Sequence, residues 1–106
     1  MTQGSLIPAL PKSIVERELI TEFIFFETLT TPAVPDQCKK AFYNRLPNRP
    51  GYPSFGLAAT SWTGFLAEKV HAGLVDVNGI VSLTLIGKEH LDGLRDEASL
   101  EGISLP

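Results

Sequence analysis

Leu74-Val75-Asp76-Val77-Asn78-Gly79-Ile80-Val81-Ser82-Leu83-Thr84 is the stretch of this 106-residue chain that most narrows its fold. Two apolar, β-branched runs flank Asn78-Gly79, a pair suited to a type I′ turn because both central residues there need positive φ. The reading is a β-hairpin with Val77 facing Ile80 and Leu74 facing Leu83. In that register Leu74, Val81 and Leu83 share a face, and Asp76 sits at its edge. Thr84 is then placed to cap a helix through about Leu94, with Leu91 and Leu94 turned inward. Arg95 to Pro106 is acidic, and residues 96–106 are expected to form a frayed tail.

Upstream of the hairpin, Gly73 is positioned as the C′ residue of a helix spanning about Leu57 to Ala72. Trp62, Phe65, Leu66 and Val70 form its apolar face, which favours a core role for Trp62. Gly64 weakens this helix, because a mid-helix glycine costs about 1 kcal/mol relative to alanine. Before it, Pro47, Pro50 and Pro53 with Asn48 and Gly51 compel a loop. A shorter helix is expected from about Gln37 to Leu46, with Asp36 as N-cap. It buries Ala41 and Phe42, with Cys38 and Leu46 as further candidates, and turns Lys39, Lys40, Asn44 and Arg45 outward.

Pro32 and Pro35 break the chain before that helix. The first helix reads from about Ile14 to Leu29, with Ser13 as N-cap and Glu16 completing a capping box. Ile14, Val15, Leu19, Phe23 and Phe26 form its stripe. Ile20, Ile24 and Phe25 widen the apolar arc beyond one core contact, which means either deep burial or a homodimer interface made by those three residues. Residues 1–12, holding Gly4, Pro8 and Pro11, read as an irregular arm.

The composition, 43% hydrophobic and 20% charged, is that of one globular domain. A net charge of −3 argues against general attraction to nucleic acid or an anionic membrane. Leu19 to Phe26, the most apolar stretch, is far short of the roughly twenty residues of a membrane helix. No signal-peptide pattern opens the chain. Cys38, the single cysteine, excludes an intrachain disulfide and fits a reducing compartment, so a soluble, cytoplasmic protein is expected.

Chemistry is sparse. His71, His90 and Cys38 have no metal-ligand spacing, and nothing flanking Cys38 marks a nucleophile. No glycine-rich phosphate loop or nucleophile elbow occurs. The expectation is therefore no enzyme, no metal and no cofactor.

The order helix, helix, helix, hairpin, helix, together with Ala72-Gly73-Leu74-Val75, the Asn78-Gly79 turn and Leu83-Thr84 followed by Gly87-Lys88-Glu89, resembles the winged helix-turn-helix family. The likeness is to bacterial regulators of the MarR and PadR kinds and covers about Ile14 to Leu94. It implies a mainly α fold with a small β-hairpin (α-α-α-β-β-α). In it, Leu57 to Ala72 is the recognition helix, Gln37 to Leu46 the helix before it, and Leu74 to Thr84 the wing. Departures are the long proline-rich turn between the two helices, a wing tip without Arg or Lys, and Lys69 at a position that is usually apolar.

Charge is unevenly distributed in a way that bears on this likeness. No acid occurs between Asp36 and Glu68, while Lys39, Lys40, Arg45 and Arg49 give that stretch +4, and the rest of the chain carries −7. The cations fall on the elements that would face DNA. The expected partner is thus double-stranded DNA, bound by a transcriptional regulator that is a homodimer. Lys39, Lys40, Arg45, Arg49 and Lys69 would hold phosphates, with Tyr52 beside Arg49, and Thr60, Ser61 and Thr63 would touch bases. The helix itself lacks Asn, Gln and Arg, the usual base readers. The alternative is a winged-helix protein–protein adaptor, or a subunit of a larger assembly, that does not bind DNA.

Overall fold

Prolines interrupt the helical pattern after Thr28 and after Arg45, and glycines end it after His71 and Glu101. The computed structural model describes residues 12–106 and divides them accordingly. The elements are α1 (Lys12–Thr28), α2 (Pro35–Arg45), α3 (Trp62–His71), β1 (Val75–Asn78), β2 (Ile80–Leu83) and α4 (Leu85–Glu101). This is the expected order: four helices with one small antiparallel hairpin before the last. The expected arm lies outside the described residues except for Lys12, which opens α1.

α1 runs through the middle of the molecule and packs chiefly on α4 and α2. Ile20, Ile24 and Phe25 are 3%, 1% and 1% exposed, so the homodimer interface expected from these residues is overturned. The extra apolar width is covered by the chain's own elements. The Phe25 ring lies 6.1 Å from Phe42 of α2, and 6.1 Å and 4.9 Å from Trp62 and Phe65 of α3. Phe26 meets His90 of α4 at 4.8 Å. From Leu19 to Thr28 α1 is buried on every side but that of Glu22 and Glu27, as a helix inside a bundle is. Ser13 lies inside α1 as its second residue, so it is not the N-cap expected.

α2 starts at Pro35, two residues before the Gln37 start that a cap at Asp36 implies. Val34 occupies the cap position without a side-chain bond, Pro35 takes the first turn, and Asp36 adds a favourable negative charge there. The helix stops at Arg45 because Leu46 precedes Pro47 and is held extended, φ −65° and ψ 145°.

α3 begins at Trp62, five residues later than expected. Ser61 is its N-cap, its hydroxyl accepting from Gly64 N at 3.1 Å, so Leu57 to Ser61 is loop. Gly64 is consequently in the first turn rather than mid-helix, where its penalty is smaller. Gly73, at φ +79°, closes α3 as expected. Its N–H donates to Val70 O and that of Leu74 to Lys69 O, both at 3.0 Å, the paired bonds of a Schellman motif.

That cap shifts the hairpin. The Leu74 N–H is taken by Lys69 O and its carbonyl by Thr84 N at 3.1 Å, so the ladder starts at Val75. Val75 pairs with Leu83 and Val77 with Val81, one residue out of the expected register, and Gly79 alone takes positive φ at the tip. A one-residue slip exchanges the faces: Val75, Val81 and Leu83 are buried, while Leu74 lies outside the strand. β2 also has a neighbour outside the hairpin. Val81 N donates to Ala33 O at 2.8 Å, bridging the proline-rich link between α1 and α2 to the hairpin.

Thr84 caps α4, accepting from Gly87 N at 3.0 Å while its hydroxyl donates to Gly73 O at 2.8 Å. α4 does not end near Leu94, and the tail does not fray. The helix continues to Glu101, Gly102 turns left-handed at φ +70°, and Ile103 N donates to Ala98 O at 2.8 Å. Ala98 and Ile103 are buried, so apolar anchoring outweighs the acidic charge of the segment.

Candidate nucleic-acid interface

The loop between α2 and α3 is tied to α1. Ser54 N donates to Thr21 Oγ1 at 2.9 Å, and the Phe55 ring stacks at 5.9 Å on Phe42 and lies 5.0 Å from Phe65. Gly51, at φ +94°, lies against the Arg17 side chain. These anchors bring the loop beside the outward face of α2, whose opposite side buries Cys38 and Phe42.

Two shallow depressions join there. Asp36, Lys39, Lys40, Tyr43 and Asn44 line the first. Tyr43 and Asn44 also line the second, with Asn48, Arg49, Tyr52 and Pro53. Lys39, Lys40 and Arg49 are exposed, and none has an ion-pair partner among the described residues. The Arg49 guanidinium lies 5.5 Å from the centre of the Tyr52 ring, a cation–π arrangement that leaves its charge facing solvent. Tyr43 packs edge-on against Phe42 at 5.1 Å and remains 42% exposed.

The other two cations expected to hold phosphates are engaged elsewhere. Arg45 pairs with Glu27 of α1. Lys69 is turned to the core side of α3: its side chain is 13% exposed, with Nζ 4.5 Å from the Phe65 ring centre, 2.9 Å from Glu68 and 3.8 Å from Glu22. It fills the apolar position of the helix with its methylene stem and keeps its charge among carboxylates. Glu22 also meets His90 Nε2 at 2.6 Å, so this network joins α1, α3 and α4. Nothing in the sequence pattern signals these cross-helix pairs.

Thr60, Ser61 and Thr63 are exposed around the start of α3, with the Ser61 hydroxyl already serving the cap. Beyond them the outward face of α3 consists of Gly64, Ala67, Val70 and His71, none of which makes the forked contacts that read guanine or adenine. The hairpin exposes Asp76, Val77, Asn78 and Ile80.

Cys38 lies behind this surface, 2% exposed, its thiol donating to Ala33 O at 3.4 Å. Burial pushes the thiol up from its ordinary value, so the neutral form is favoured in the fold and the stability it lends falls as pH rises through the thiol range. Native protein is expected to resist iodoacetamide near neutral pH and to label fully in denaturant, read by intact mass. Rapid native labelling would contradict the burial. Comparison with protein-family models, curated proteins and solved structures gives no match for this chain.

Proposed function

We propose that this is a cytoplasmic, DNA-binding protein of winged helix-turn-helix type that acts in transcriptional control. It grips duplex phosphates with Lys39, Lys40 and Arg49 and lays the first turn of α3 against the groove. The observation carrying this reading is that these three exposed cations share one surface with no ion-pair partner among the described residues. Releasing counterions is what such an arrangement rewards. With Arg45 and Lys69 engaged internally, three phosphate contacts predict a salt slope of about −2.7. The hydroxyls of Thr60, Ser61 and Thr63 are the groups at hand for base contacts, so discrimination between sequences is expected to be shallow.

The test is titration of labelled mixed-sequence duplex between about 50 and 200 mM salt. Lys39→Ala with Lys40→Ala is expected to weaken binding alike across sequences and to flatten the slope by about 1.8. Absence of binding at the low-salt end, or an unchanged slope in the double variant, would remove the reading.

A second reading, a protein-binding adaptor, is favoured by exposed apolar residues away from the cations. Val77 and Ile80 on the wing are 43% and 47% exposed, and Leu85 and Ile86 at the start of α4 are 73% and 60% exposed. Light scattering checks whether a second copy covers them: a dimer dissociated by Leu85→Lys with Ile86→Lys would assign the patch to self-association and count against the adaptor, whereas a monomer leaves it free for another protein.

A further inference from the structure

We propose that the groove between α2 and the proline loop takes an unpaired nucleotide base, so that the preferred ligand is duplex DNA carrying unpaired nucleotides. The inference rests on the DNA-binding reading and names the ligand of the same surface. Phosphate contact alone does not explain the composition of the groove. Tyr43, Asn44, Asn48, Arg49 and Tyr52 line it, and Tyr43 and Asn44 also line the adjoining depression that holds Lys39, Lys40 and Asp36.

Tyr43 is the informative residue. Its edge-on contact with the fully buried Phe42, at 5.1 Å and 83°, holds the ring while leaving it 42% exposed. A large aromatic surface fixed by the core and turned to solvent is suited to stacking. The Arg49 guanidinium against Tyr52 adds a second flat, cationic surface nearby. The amides of Asn44 and Asn48 offer both donors and acceptors, which suits base edges, whereas phosphate needs donors only.

An intact duplex keeps its base faces stacked inside and presents phosphates and groove edges to a protein. Away from the terminal pairs, only unpaired nucleotides offer a free face to an aromatic ring. Cations arranged to follow a backbone, next to aromatic rings with exposed surface, form the combination that single-strand binders use. The groove thus adds to the duplex grip a place for a base that has left the stack.

The test compares three labelled ligands built on one duplex: blunt, with a short 3′ single-stranded overhang, and with the same overhang made abasic. The two overhangs carry equal phosphate charge, so the difference between them isolates stacking. The intact overhang is expected to bind at least about fivefold tighter than the abasic one, the gain of a single stacked base. Tyr43→Leu, which retains an apolar contact with Phe42, is expected to move that ratio toward one, with circular-dichroism melting confirming that the variant is folded. Equal affinity for intact and abasic overhangs overturns the base site while the duplex reading stands. A ratio unmoved by Tyr43→Leu overturns the assignment to this groove. Failure of all three ligands to bind removes both readings.

Discussion

Gly87→Ala is expected to destabilise the fold by about 3 kcal/mol and to lower the melting temperature by about 12–24 °C. Gly87 sits in the first turn of α4, where a helical residue ordinarily gains from alanine. Here an added Cβ would lie 2.0 Å from the Leu74 carbonyl oxygen and 3.0 Å from its carbon. That carbonyl cannot simply withdraw. It accepts from Thr84 N, while the Leu74 N–H is held by Lys69 O and the Thr84 hydroxyl by Gly73 O. The end of α3, the base of the hairpin and the start of α4 therefore meet at one point, and a methyl group there forces them apart. Gly93 of the same helix supplies the control. Nothing lies within 4 Å of the Cβ it would gain, so Gly93→Ala is expected to stabilise by about 0.5–1 kcal/mol. Thermal melts of both variants read the result. Equal, small shifts would mean that the junction is looser than described.

Phe25→Ala is expected to cost about 3–5 kcal/mol, a large share of the 5–15 kcal/mol that holds a typical domain together. The ring is 1% exposed and meets four others, Phe26, Phe42, Trp62 and Phe65, at 4.9–6.1 Å. Removing it leaves a cavity where α1, α2 and α3 converge, and rigid aromatic neighbours fill such a space poorly. Urea unfolding followed by Trp62 fluorescence reads the lowered midpoint, and an unchanged midpoint would be decisive against the packing described.

Local signals were legible wherever one or two residues suffice to direct the backbone. Gly73 in its left-handed C-cap, Thr84 as N-cap, and the prolines that end α1 and α2 all act over a single turn. Glu101-Gly102-Ile103 carried the same glycine-then-apolar signal as Gly73-Leu74, yet the acidic composition around it suggested fraying. The hairpin was visible but its register was not. The turn residues alone favoured a two-residue loop, whereas the helix cap and Thr84 had already claimed Leu74. α3 starts later than the sequence predicts because Leu57-Ala58-Ala59 suits a helix as readily as a loop, and only the Ser61 cap decides it.

For the candidate interface, the sequence alone established that a stretch carrying +4 lies in an otherwise acidic chain and that Lys39 and Lys40 share the outward side of a helix. It also established the element order, because apolar periodicity, prolines and glycines act on near neighbours along the chain. Tertiary structure decided which charges remain available: Arg45 and Lys69 meet Glu27 and Glu22 of α1, partners 18 and 47 residues away. It likewise turned Ile20, Ile24 and Phe25 from a candidate surface into the centre of the core. Helical spacing shows that a face is apolar, but what covers that face depends on elements distant in sequence, and their meeting is set only when the whole chain packs.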